Sequence, residues 1–312
     1  MRILPIEIKP AALTTTSAHL RGHLALAVSV ASGAWAVILI RLAQNEGVPS
    51  LFIGAFRLTM AALILTPLVL RRYGPALRQL NTSDWLHVST SGILMALLLA
   101  TAAVGLEHTT VLVTAVLFAI NPLWVALLEI FLLKTPMKQS LWLGMAFTLA
   151  GSIIIALSGN TDLGLGQNPV LGAGLALVGS LAVALYAVVG RKVRHRISLF
   201  LYMWLVFVTG AITAILIVLV SRTPIMGYSA MGVFWLVLIT LVTQLASHVS
   251  YNYALRRLPA TYCSIFGQLE VLFSTIIAFL LFNEIPGVWQ YPGSLAILIG
   301  ITIVILSQPQ AG

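Results

Sequence analysis

Charge is what this sequence has least of. Only 8% of its 312 residues are Asp, Glu, Lys or Arg, against roughly a quarter in a soluble domain, which excludes an ordinary water-facing globule. Cysteine is nearly absent too. The single one, Cys263, rules out an intrachain disulfide or a cysteine-based zinc site; its place inside an apolar run reads as a small buried hydrophobe. No polar stretch is long enough for a nucleotide-binding domain, so an ATP-driven pump made of this chain alone is ruled out. A G-x-S-x-G elbow, an H-E-x-x-H zinc pair and a phosphate-cradling glycine loop are all missing. No two carboxylates fall at helical spacing in one apolar run. The expectation is therefore no enzyme, no cofactor and no metal site.

What is present is apolar: 60% of the residues are hydrophobic and the mean hydropathy is +1.03. Ten apolar runs follow one another with short breaks, at about 23–43, 50–70, 85–105, 109–132, 139–157, 170–190, 198–220, 231–254, 260–282 and 288–307. Each is near the ~20 residues a helix needs to cross a bilayer. The strict alternation of a membrane barrel strand is missing, so helices are the spanning solution. The breaks carry helix-stop residues such as Gly47, Pro49, Gly74, Pro75, Pro136, Gly159 and Pro224.

The few charges are placed asymmetrically. One alternate set of breaks holds Arg2, Lys9, Arg21; Arg71, Arg72, Arg78; Lys134, Lys138; Arg191, Lys192, Arg194, Arg196; and Arg256, Arg257. The other set holds only Arg41 and Arg222, and Arg57 lies within the second run. The positive-inside rule then puts both termini in the cytoplasm. The net charge of +9 needs no nucleic acid: these arginines are expected to look outward to anionic head groups. The apolar run after Arg21 is longer than the core of a cleavable signal, so residues 1–22 read as a cytoplasmic tail. Short loops and a lean tail suit a bacterial inner membrane.

A shift of 149 residues lays one half of the chain on the other. Gly144 falls on Gly293, Thr135 on Glu284, and Asn121-Pro122 on Glu270-Val271. Each half has five spans, an odd number, so the second half enters the membrane from the opposite side. Inverted repeats are a recurrent plan of transporters, with the substrate site near the midplane between the halves. The expected organisation is a tail 1–22, a first five-helix repeat 23–157, an outside linker 158–169, a second, inverted repeat 170–307, and a tail 308–312. The fold class expected is an all-α polytopic membrane protein, with ten transmembrane helices around a central cavity.

The candidate site starts at Glu270, about ten residues into the ninth run. A carboxylate at a helix centre costs roughly 2.5–3.5 kcal/mol on insertion scales, so it should face a cavity or a partner. Cavity lining and an interhelical hydrogen-bond pin are both open. Asn121, its repeat equivalent, should approach from the other half, with Trp124 one turn along. In the eighth run, Gln244, His248, Tyr251 and Asn252 fall at i, i+4, i+7 and i+8, one face of an α-helix. Histidine beside a carboxylate makes proton coupling one alternative to exchange or facilitated diffusion. Arg57 could snorkel outward, pair with Glu107 or with an acidic residue of the cavity, or bind a substrate carboxylate. Trp35, Tyr186 and Trp204 could form apolar walls, Glu129 a local ion pair with Lys134. Trp85, Trp142, Trp235 and Trp289 read as an interfacial belt. Small-residue seams, Ala25/Ser29/Gly33, Gly144/Thr148/Ser152 and Gly172/Ala176/Ser180, let helix backbones approach closely.

The pattern resembles the drug/metabolite transporter superfamily and, within it, the EamA-type ten-helix exporters. Gly33-Ala34-Trp35, Phe56-Arg57-Leu58, Asn121-Pro122-Leu123, Tyr253-Ala254-Leu255, Pro259-Ala260, Glu270, Phe282-Asn283-Glu284 and Gly293 to Gly300 carry the resemblance. It implies an inverted basket of helices around a cavity and export of small metabolites. Two departures stand out: Lys134-Thr135 replaces a Gly-Glu pair, which puts in doubt a capping role there, and Val271 replaces a common proline, which suggests a straighter ninth helix. A site of Glu270, Gln244, His248, Tyr251 and Asn252 suits small zwitterions or cationic amphiphiles better than multiply anionic phosphates. Amino acid or related metabolite export by alternating access is the first reading, with efflux of cationic, lipophilic drugs as the alternative. An intramembrane enzyme or a scaffold without flux is a rival of another class. The partners expected are a small-molecule substrate and the lipid bilayer; the chain is read as a monomer or weak homodimer.

Overall fold

The computed structural model describes residues 11–108, 117–134, 137–157, 168–282 and 288–306. Among these there are helices and no strand. Seven helices are long and apolar enough to cross a membrane: Leu20–Asn45, Ser50–Leu77, Thr82–Gly105, Val170–Val189, Leu199–Val220, Ala230–Ala254 and Ala260–Leu281. Three shorter apolar helices, Leu117–Leu132, Gln139–Ile154 and Tyr291–Leu306, stand where the fourth, fifth and tenth runs were read. The protein is an all-α polytopic membrane protein whose helices fall into two sets of five.

Packing follows the repeat. The second helix lies against the seventh, the fourth against the ninth and the fifth against the tenth. The third packs on the sixth, and the first packs correspondingly on the eighth. Exchanging the halves, first for sixth, second for seventh and so on, turns this set of contacts into itself. The close approaches explain why. Between the fifth and tenth helices, a Cβ on Gly144 would lie 2.7 Å from the Gly300 carbonyl, and one on Gly151 would lie 2.9 Å from the Ile297 nitrogen and against the Gly293 carbonyl. Gly144 and Gly151 are the repeat equivalents of Gly293 and Gly300, so the crossing is made of matched glycines where lipid supplies no hydrophobic drive.

Helix interruptions set the geometry of the middle. The first span is two helices, Ala11–Gly33 and Trp35–Asn45. The fourth turns at Ile120 before Asn121–Leu133, with Pro122 near the start of the new helix, where its missing N–H costs least. The ninth breaks at Gln268, between Ala260–Gly267 and Leu269–Phe282. This corrects the straighter ninth helix expected from Val271. Gln268 N–H bonds the Ile265 carbonyl at 3.1 Å and Val271 N–H bonds Gln268 at 3.2 Å, i to i−3 links that tighten the turn without a proline. The breaks of the fourth and ninth spans fall at repeat-equivalent positions within a residue.

The eighth span carries the other irregularity. Between Ala230–Ile239 and His248–Ala254 the chain is π-helical over Thr240–Ser247. A π segment is rare and recurs at functional sites. It changes the rotation between Gln244 and the residues after it, so the α-helical spacing that placed Gln244, His248, Tyr251 and Asn252 on one face does not hold across it.

Candidate functional site

Glu270 lies in the first turn of Leu269–Phe282, just past the break, where the positive end of the helix dipole favours a carboxylate. It packs on the break in the first span: a Cβ on Gly33 would lie 2.7 Å from Glu270 Cδ and 3.0 Å from Oε2, with Oε1 closer still. Only glycine admits the carboxylate there. Glu270 keeps partial exposure, and among the described residues no hydrogen-bond donor reaches it.

Glu270 and Asn121 do not bond each other. The Asn121 amide reaches the Ser180 carbonyl of the sixth span at 3.4 Å, while Glu270 reaches Gly33 of the first. First and sixth spans are repeat partners, so each residue docks on the small-residue seam of the opposite half. Gln268 makes the link at the centre. It accepts from Ser152 Oγ at 2.9 Å and donates to the Ala119 carbonyl at 3.4 Å, joining the break of the ninth span to that of the fourth. An amide next to Gly267 within an apolar run was the available signal for it.

Arg57 does not snorkel. It is only 4% exposed, and its Nε donates to Gln244 Oε1 at 2.8 Å. Gln244 in turn donates to Met95 Sδ at 3.4 Å. Among the described residues no carboxylate lies within ion-pair distance of Arg57; the side chain of Glu107 is outside that set. Arg57 is close enough to His248 to interact with it electrostatically, and Tyr251 is likewise within range of Glu270.

The polar stripe read on the eighth span fans out. Gln244 faces the second and third spans through Arg57 and Met95. Asn252 is fully buried and donates to Tyr186 Oη at 2.6 Å and to the His248 carbonyl at 2.8 Å. Asn252 and Tyr186 are thus a pin between the sixth and eighth spans, and Tyr186 is no apolar wall. Trp204 donates from Nε1 to Thr66 Oγ1 at 2.9 Å, a link between the seventh and second spans. His248, Tyr251, Trp124 and Asn121 keep partial exposure, as Glu270 does. Trp124 and Tyr251 pack on the same apolar cluster. Trp35, at the start of the second half of the first span, is 38% exposed. The candidates thus divide by burial: Glu270, His248, Tyr251, Asn121 and Trp124 keep partial exposure, while Arg57, Gln244 and Asn252 are buried.

Two charges read as peripheral are structural. Glu129 accepts from the Ala260 and Thr261 backbone N–H groups at 3.0 and 3.1 Å and from Thr261 Oγ1 at 2.6 Å. It caps the ninth span from the fourth, a role that its nearness to Lys134 did not suggest, and Arg191 lies 3.8 Å away. Arg194 does not look outward to lipid. It is buried and donates to the carbonyls of Ala187 and Tyr186 at the end of the sixth span, where cations complement the dipole. Lys134 ends the fourth span in the left-handed conformation at φ 52° and bonds the Glu129 carbonyl, so the capping geometry survives without glycine.

A profile described as the EamA-like transporter family matches residues 20–157 and again residues 170–306. The chain is 24% identical over 201 residues to "Uncharacterized transporter YyaM" of Bacillus subtilis (strain 168), covering 64% of this chain and 65% of that protein. It is 24% identical over 271 residues to "Solute carrier family 35 member G1" of Mus musculus, covering 82% and 71%. A solved structure described only as "Crystal structure of protein" superposes with a TM-score of 0.74 at 18% identity, over 93% of this chain and 97% of that one. With two successive matches over its paired five-helix sets, the chain belongs to the EamA-like transporter family.

Proposed function

We propose that this transporter is a secondary-active exporter of amino acids or related small zwitterions, working by alternating access across a bacterial inner membrane with both termini in the cytoplasm. One observation carries the substrate class. Glu270 is partly exposed and, among the described residues, without a donor at the start of the second helix of the ninth span, while Arg57 is buried with a neutral amide for its partner. A substrate ammonium bound by Glu270 would replace the missing counter-charge there. Release of Arg57 from Gln244 would offer a guanidinium to the substrate carboxylate, in the bidentate geometry that favours arginine. Broken helices whose half-helix ends face the substrate are a recurrent transporter device, and the breaks at Ala34, Ile120 and Gln268 supply joints about which the halves could rock.

His248 and Glu270 are the groups through which a proton gradient would act. Efflux of lipophilic cations is the second reading, favoured by Trp124 and Tyr251 sharing a cluster beside Glu270. Reconstitution into proteoliposomes with a labelled amino acid panel and a lipophilic cation tests both. Flux of zwitterions supports the proposal; flux of the cation with none of the amino acids replaces it by the second reading.

A further inference from the structure

A cavity of about 670 Å³ opens at the basic face, between the first span, the start of the seventh and the end of the eighth. Its polar side carries Arg256, Arg257, His195 and Ser198, and its apolar side includes Phe200 and Val249. Among the described residues no carboxylate lines it. The neighbouring acids are engaged elsewhere: Asp84 binds Arg196 at 2.9 Å and Glu129 caps the ninth span. The described lining of the cavity is therefore cationic.

Both guanidinium groups are held at the cavity wall. Arg256 donates from Nη2 to the Ile197 carbonyl, and among the described residues its buried Nε has no partner. Arg257 lies over the Tyr253 ring, 3.8 Å from its centroid, which holds its guanidinium in place. Ser198 caps the 22-residue seventh helix by accepting from Leu201 N–H at 3.2 Å. The positive end of that helix thus adds to the field. Crowding leaves its mark: burial first, then Arg194 and Arg257, lowers the Arg256 pKa below its ordinary value. His195 is lowered by burial and by Arg194, Arg191 and Arg256.

We propose that this cavity binds a phosphate-bearing anion with an apolar tail, the phosphate on Arg256 and Arg257 and the tail along Phe200 and Val249, the chemistry of an anionic phospholipid of the adjoining leaflet. Phe200 is 39% exposed and stands one residue into the seventh span, where head groups and acyl chains meet. The site is separate from the one proposed for transport. At about 100° per residue, Val249 and Tyr253 lie on a different face of the eighth helix from His248, Tyr251 and Asn252.

The full chain, purified in detergent, is titrated with dioleoyl phosphatidylglycerol, dioleoyl phosphatidylcholine or inorganic phosphate, and bound lipid and Tm are read by native mass spectrometry and thermal shift. Phosphatidylglycerol is expected to bind and raise Tm, with phosphatidylcholine at least several-fold weaker. The R256Q/R257Q double variant is expected to lose roughly tenfold or more in apparent affinity. The exposed pair on the same face, R71Q/R72Q, is the control and should bind as wild type. If R256Q/R257Q fails to fold, Phe200→Ser removes the apolar wall and should weaken phosphatidylglycerol alone. Equal losses in the control pair, or unaltered binding in both cavity variants, would overturn the site. Full stabilisation by inorganic phosphate alone would overturn the lipid source in favour of a soluble anion.

Discussion

Replacing Gly33 by alanine would put a methyl carbon 2.7 Å from Glu270 Cδ and 3.0 Å from Oε2. Carbon atoms pack at about 3.5–4.0 Å, so the carboxylate must retreat by roughly 1 Å. The retreat is cheap for the fold, because what gives way is the end of a flexible side chain. Alanine also exceeds glycine in helix propensity by about 1 kcal/mol, so Tm in detergent should hold or rise slightly. Transport should suffer much more: a misplacement of about 1 Å at a reacting or binding group can cost on the order of 100-fold. The assay is initial flux in proteoliposomes beside thermal unfolding of the same preparation. Wild-type flux in a folded G33A variant would refute the claim that the carboxylate must rest on the break in the first span. A variant that merely unfolds would refute the packing argument instead.

Glu129→Ala removes the cap of the ninth span and leaves the Ala260 and Thr261 N–H groups without their carboxylate; a loss of about 1–2 kcal/mol is expected, read as a lower Tm. Lys134→Gly relieves a left-handed side-chain-bearing residue at φ 52° and should stabilise by about 1 kcal/mol, read the same way. The lowered pKa of His195 means that the folded chain disfavours its imidazolium. Its contribution is therefore intact above the ordinary pKa of about 6.5 and is lost as pH falls below it. Tm should drop on acidification through that window, and less so in H195Q; equal slopes would contradict the crowding of Arg191, Arg194 and Arg256 around it.

The ten spans were legible in the sequence because hydropathy and span length are properties of contiguous residues. Glu270 was legible as well, since a carboxylate in an apolar run has to be explained locally. The seams at Ala25/Ser29/Gly33 and Gly172/Ala176/Ser180 showed as small-residue spacing, and the structure lays them against the eighth and ninth spans and the third and fourth. The rest depends on neighbours far away in the chain. Gln244 is 187 residues from Arg57, and Thr261 is 132 from Glu129; neither pairing leaves a local pattern. The π segment at Thr240–Ser247 invalidated a spacing argument that assumed an unbroken α-helix. The break at Gln268 arises where Ser152 and Ala119 of the other half hold its side chain, which a missing proline could not foretell.

Counterflow of a labelled neutral amino acid into proteoliposomes holding wild type or Glu270→Gln measures the central claim most directly. The isosteric amide keeps the packing on Gly33 and removes the charge offered to an ammonium group. Saturable counterflow in the wild type, falling by tenfold or more in Glu270→Gln at unchanged Tm, is the result expected. Equal counterflow by both proteins would contradict it and return Glu270 to the role of a structural pin between the first and ninth spans.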